Sequence, residues 1–259
     1  MEHKMKTKKK KYAPYIVLWI LFGVIVFWEE AFRTNIEILS IISVVMSIVI
    51  LVKNKMPSKK YIIMSIIFMV LSMIAYLGIS LQAVVIWGLI AGVPTLLSSL
   101  AVFSVMDNYG GYLMVSKKNK YSLLVSILIG MISGAILSVI NTFLGFMSGD
   151  EIAFNFSFMK LLVCLNPAIY EEMAARAIFM AYCIYYTDNK KMNWFEIFTM
   201  YFMMIIPHSL AHGYGWFATI LLGVLFGIPF AILQRKRDIA SAMISHGFVD
   251  AVRFTLFGL

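Results

Sequence analysis

The stretch Tyr61–Met106, YIIMSIIFMVLSMIAYLGISLQAVVIWGLIAGVPTLLSSLAVFSVM, runs for 46 residues without an Asp, Glu, Lys, Arg or His. A helix that crosses a bilayer needs about 20 mostly apolar residues. The stretch is therefore read as two spans, 61–80 and 83–106, with a tight turn near Gly78–Gln82. Working outward, further apolar runs of similar length lie at 12–28, 36–52, 121–147, 167–186, 194–212, 216–234 and 239–257. The whole chain of 259 residues is 61% hydrophobic and 14% charged, whereas soluble domains carry about 25% charged residues. So few charges cannot cover the surface of a water-soluble globule. The sequence predicts an all-α fold, a polytopic transmembrane helical bundle of about nine spans, with eight as the alternative.

The net charge of +9 would suit a nucleic-acid binder, so its distribution decides. Of the 22 basic residues, 18 form five clusters: Lys4, Lys6 and Lys8–Lys11; Lys53, Lys55, Lys59 and Lys60; Lys117, Lys118 and Lys120; Lys190 and Lys191; Arg235, Lys236 and Arg237. Each fills a gap between apolar runs. Strict alternation from a cytoplasmic N-terminus puts all five on the cytoplasmic side, and the opposite gaps hold Glu29, Glu30, Arg33, Asp150 and Glu151. That is the bias of loops flanking spans in a cell membrane, and it leaves no role for nucleic acid. The expected partners are the lipid bilayer and a membrane-associated peptide or protein. No cleavable signal is evident, because the basic tail runs into a full-length span. The chain divides into a basic tail (1–11), N-terminal spans without catalytic motifs (12–150) and a C-terminal core (151–259). Asn166-Pro167 reads as an N-cap followed by the first helical position. The sixth span is thus expected to start at Pro167, with 152–165 as an interfacial or re-entrant piece.

The first five spans hold essentially no ionisable residue away from their ends, whereas the apolar runs between 167 and 252 contain Glu171, Glu172, Arg176, His208, His212, His246 and Asp250. A charge in lipid costs at least about 2.5–3.5 kcal/mol, so such residues mark a functional site or paired structure. Their spacing is helical. Glu172 and Arg176 are i,i+4 and suit an ion pair, while Glu171 is turned about 100° away. His208 and His212 are i,i+4, as are His246 and Asp250. A carboxylate with a histidine can activate water as a general base, and a second histidine can stabilise an oxyanion. The same residue types can hold zinc, which takes three protein ligands and an open position in catalytic sites; the metal candidates are Glu171, His208, His212 and His246. Covalent catalysis is disfavoured. Ser209 and Ser245 adjoin histidines but point about 100° from them, no Gly-x-Ser-x-Gly turn is present, and Cys164 and Cys183 read as small core hydrophobes.

Glu171-Glu172-x-x-x-Arg176 resembles the E-E-x-x-x-R motif of the CAAX-protease and bacteriocin-processing (CPBP, or Abi) family of intramembrane proteases. His208-x-x-x-His212 falls where that family has F-x-x-x-H, and His246-x-x-x-Asp250 matches H-x-x-x-N/D. Gly223 to Gly227, followed by Arg235–Arg237, resembles the Gly-rich helix and basic turn before the last motif. The resemblance covers roughly 160–254. It implies a membrane-embedded endopeptidase in which Glu171 and His212 activate water, His246 and Asp250 stabilise the oxyanion, and Glu172 and Arg176 orient Glu171. Three positions depart from the family pattern: His208 stands for Phe, Ala177 for Gly and Asp250 for Asn. The first favours a metal, since two histidines at i,i+4 share a helix face as in zinc-binding helices. Two other classes compete with the protease: an inactive family member serving as a bacteriocin-immunity or regulatory membrane partner, and a proton-coupled transporter using the same groups as a relay.

Overall fold

A computed structural model describes residues 2–32, 36–116 and 122–258. Arg33 and the Lys117, Lys118 and Lys120 cluster lie outside the described residues. Each of the nine apolar runs is helical, and among the described residues there is no strand. The helices are α1 (Glu2–Phe32), α2 (Ile36–Lys53), α3 (Lys59–Ile74), α4 (Leu81–Tyr109), α5 (Ser122–Met147) and the short α6 (Phe158–Val163). α7 joins a wide π-helical segment, Asn166–Ala177, to Ile178–Thr187. α8 is Trp194–Leu210, α9 spans Trp216–Arg237 with two wide turns, and α10 is Ile239–Leu256. Five of them are long and apolar enough to cross a membrane: Tyr12–Phe32 within α1, Lys59–Gly78, α4, α5 and α9.

The turn expected near Gly78–Gln82 falls at Ile79–Ser80: α3 runs on through a 3-10 segment, Ala75–Gly78, and Ser80 then caps α4 by accepting the Ala83 N–H at 3.0 Å. The start of the sixth span differs from expectation. The helix begins at Phe158, with Ser157 accepting the Met159 N–H at 3.2 Å. Cys164 and Leu165 keep right-handed helical dihedrals, so Asn166 caps nothing. Pro167 lacks an N–H and would break a regular α-helix. Here the change to i→i+5 pairing absorbs it. Before α6 the chain is extended and tied to the end of α10, with the Ala153 and Asn155 N–H groups donating to Leu256 O and Thr255 O at 2.8 and 2.9 Å.

Helices in lipid gain little from apolar contact alone, so close approach through small residues holds them together. Gly130 and Gly134 of α5 lie where an added Cβ would meet Ser241 O and Ile244, or Ser245 O and Phe248, of α10. Gly88 and Gly92 of α4 face Met73 of α3 in the same way, and Gly223 and Gly227 of α9 face Ile205 of α8. The centre of the bundle is α7, whose residues Ile178–Ile184 are all buried. On the flank, α1 packs on α8 through Trp19, whose ring centroid lies 4.7 Å from that of Phe202 and whose indole N–H donates to Thr199 Oγ1 at 3.1 Å. The start of α10 is anchored by buried Asp238, which accepts from Ser241 N and, across the bundle, from Ser126 Oγ of α5 at 2.6 Å.

Candidate active site

The site lies where the wide segment of α7, the end of α8 and the middle of α10 meet. π-helical turns are uncommon and concentrate at functional sites, and this one carries Glu171, Glu172 and Arg176. Glu171 and Glu172 diverge, as their adjacent positions require. Glu171 Oε2 lies 2.9 Å from His208 Nε2 and 3.6 Å from His246 Nε2. Glu172 faces inward, fully buried. Its Oε1 pairs with Arg176 Nη1 and lies 2.7 Å from His246 Nδ1. Its Oε2 and its backbone carbonyl both accept from Gln234 Nε2, at 2.6 and 3.0 Å.

This network settles the polarity of the His246 ring. An ionised carboxylate can only accept, and Glu172 Oε1 faces both Arg176 Nη1 and, at 2.7 Å, His246 Nδ1. The two nitrogens converge as donors on one carboxylate oxygen, which places a proton on Nδ1 and points Nε2 at Glu171 and at Asp250 Oδ2, 3.6 Å away. The Phe230 ring stacks on His246 with centroids 4.5 Å apart and lies 5.1 Å from the Arg176 guanidinium.

The structure thus brings together Glu171, Glu172, Arg176, His208, His246 and Asp250. It places His212 differently. α8 ends at Leu210, and Gly213 and Gly215, at φ +70° and +83°, turn the chain away. His212 therefore sits in the turn, exposed, with its ring stacked on Tyr214 and 5.1 Å from that of His208. Glu171 makes its 2.9 Å contact with His208, and α8 ends before His212. Donor atoms of Glu171, His208 and His246 lie within 4.8 Å of one another and could hold a metal ion; His212 is outside that group. Cys164 and Cys183 are buried free thiols. Cys164 donates to Lys160 O, far from a nucleophile's needs.

Two residues of this cluster carry no signal in the sequence. Phe230 looks like any lipid-facing aromatic. Gln234 adjoins Arg235–Arg237 and reads as part of a polar boundary, yet it is fully buried. Only their i,i+4 spacing on α9 hints at a shared face.

No curated protein and no solved structure matches the chain. Residues 153–252, which contain every member of the cluster, match the family model described as type II CAAX prenyl endopeptidase Rce1-like, the protease family that the three motifs resemble.

Proposed function

We propose that this chain is an intramembrane endopeptidase that hydrolyses peptide bonds of membrane-associated peptides or proteins. One observation carries the reading: a carboxylate, Glu171, held 2.9 Å from one imidazole and 3.6 Å from a second, with side-chain exposures of 13%, 3% and 9%. Glu171 would take a proton from the attacking water, and His208 would pass it to the leaving amine, the two halves of general acid–base catalysis. His246 would donate from Nε2 to the developing oxyanion. Glu172 holds that ring from behind through Nδ1, and Asp250 holds it from the side. The role that the family resemblance assigns to His212 passes in this proposal to His208.

A divalent ion such as zinc fits the same place. One carboxylate oxygen and two imidazole nitrogens converge there, and catalytic zinc takes three protein ligands and leaves a position open. Glu171, His208 and His246 would hold it, and the ion would supply Lewis-acid polarisation of the scissile carbonyl. Glu172 would then orient a ligating histidine, as carboxylates behind such histidines do. The two forms differ at His246 Nε2: an N–H serves an oxyanion and a lone pair serves an ion.

The test is purified protein in liposomes against a quenched fluorescent library of membrane peptides, beside Glu171→Gln. Cleavage by the wild type alone supports the proposal. Equal rates for both proteins, or no cleavage by either, refute it. Metal analysis and dialysis against a chelator separate the two forms. We further propose that all nine long helices span the cell membrane with the N-terminus cytoplasmic, a reading supported by the side on which the basic clusters fall.

A further inference from the structure

We propose that Gln234 is a positioning residue of this site: its side-chain amide fixes Glu172 so that His246 is held with Nδ1–H donated backward and Nε2 aimed at Glu171. The proposal rests on the protease reading for its effect on rate, but not for its effect on the ring.

The orientation of the amide follows from what it touches. Gln234 Nε2 contacts two acceptors, the Glu172 carboxylate at 2.6 Å and the Glu172 carbonyl at 3.0 Å. Only the NH2 end of the amide can serve two acceptors; a flipped amide would set oxygen against oxygen twice. Both contacts go to the same residue, so Gln234 pins the carboxylate to its own backbone. That leaves Oε1 as the oxygen available to Arg176 and to His246 Nδ1. Without the pin, Glu172 can rotate so that Arg176 takes both oxygens in the fork geometry guanidinium groups favour. The Nδ1–H of His246 would then lose its acceptor.

The placement in α9 supports the same role. Gln234 lies in the wide turn Leu233–Arg237, and Phe230, one turn earlier, stacks on the ring that Gln234 governs. One face of α9 thus closes the back of the site with a ring against His246 and an amide against Glu172. A buried Gln in a membrane bundle can simply tie helices together. What sets this one apart is its partner, the carboxylate on which His246 depends.

The experiment uses Gln234→Met, close in volume and without a donor, in the full-length protein in liposomes. The chain has four histidines, so the ring 15N resonances of His246 are assigned by their loss in His246→Ala. Without substrate, Gln234→Met should lose the Nδ1–H signature of His246 while His208 and His212 keep theirs. With a cleavable peptide, kcat should fall about 10–100-fold, the usual range for a residue supporting a catalytic histidine, with KM unchanged. Wild-type His246 signals overturn the proposal whatever the rate, and so does a wild-type kcat. Should Gln234→Met fail to insert or fold, Gln234→Asn keeps the amide but falls short of Glu172 and carries the same two readouts. The ring spectrum needs no activity, so a wild-type protein that cuts nothing would sink the protease reading and leave this test standing.

Discussion

Replacing Gly134 of α5 by Ala should slow proteolysis, although α5 carries no ionisable residue. A Cβ at Gly134 would lie 2.8 Å from Phe248 Cβ and 2.9 Å from Ser245 O. Ordinary contact begins at 3.4 Å, and neither neighbour can swing aside, one being backbone and the other the root of a side chain. α5 and α10 must therefore part by about half an ångström, roughly the tolerance within which a catalytic group has to be held. Ser245 precedes His246 and Phe248 is two residues from Asp250, so the displacement falls on the site itself. A misplacement of about 1 Å costs about 10²-fold in rate; half of that predicts a loss of about tenfold for Gly134→Ala. Gly130 meets Ser241 O and Ile244 at 2.8 Å, an overlap of the same size, so Gly130→Ala/Gly134→Ala should part the whole seam and lose at least the same factor of about ten. Overpacking should also cost about 1–3 kcal/mol of stability. Gly23 of α1 has nothing within 4 Å of an added Cβ, and Gly23→Ala is the control. The assay is initial rate on a quenched peptide in liposomes, with thermal unfolding measured alongside. A double variant with wild-type kcat/KM would refute the view that the α5 seam sets the position of His246 and Asp250.

The two histidines of α8 and its turn should behave differently: His208→Ala should lose about 10²–10⁴-fold in kcat, the range for a general acid–base group, while His212→Ala keeps most activity. The reverse ranking would restore His212 as the partner of Glu171. Arg176→Ala should lower stability by about 3–5 kcal/mol by stranding the buried Glu172 carboxylate, with Arg176→Lys intermediate because the charge stays but the fork geometry goes; an unchanged unfolding midpoint for Arg176→Ala would contradict the pairing. Single cysteines introduced at Asn54 and Gly149, in a chain with Cys164 and Cys183 replaced by Ser, should react with an impermeant thiol reagent from opposite faces of the membrane. Labelling of both from the same side would overturn the proposed topology.

The helices were legible because the bilayer imposes one length and one composition on each. Every apolar run became helical, and the turn at Ile79–Ser80 fell where 46 uncharged residues had to fold back. The error at Pro167 has a physical source. Asn-Pro has the preferences of a helix start, but those preferences describe α-helices. A π-helical segment pairs its backbone in a wider register, and no local residue choice announces it. Ser157, by contrast, caps α6 without standing out, because the apolar run that follows it, 158–165, is too short to cross a bilayer and is interrupted by Lys160.

Of the candidate site, the charged groups that the structure brings together were legible, and their contacts and neutral neighbours were not. Charge inside an apolar run is costly, so Glu171, Glu172, Arg176, His208, His246 and Asp250 stood out one by one. Which of them touch depends on where helices end. His208 and His212 are equivalent by spacing, and the assignment turns on a helix that stops at Leu210 because Gly213 and Gly215 adopt left-handed dihedrals. Gln234 illustrates the opposite failure. A neutral amide beside three cations looks like a residue at the membrane boundary. Yet the arrangement of charge demands something at its position. Glu172 has two carboxylate oxygens, and Arg176 and His246 both converge on one of them. A buried acceptor left unpaired costs about 1–3 kcal/mol, so the second oxygen requires a donor. A further cation there would compete with Arg176 for the carboxylate, and an acid would repel it. A neutral donor long enough to reach from α9 satisfies the oxygen without disturbing the ion pair, and glutamine is that donor.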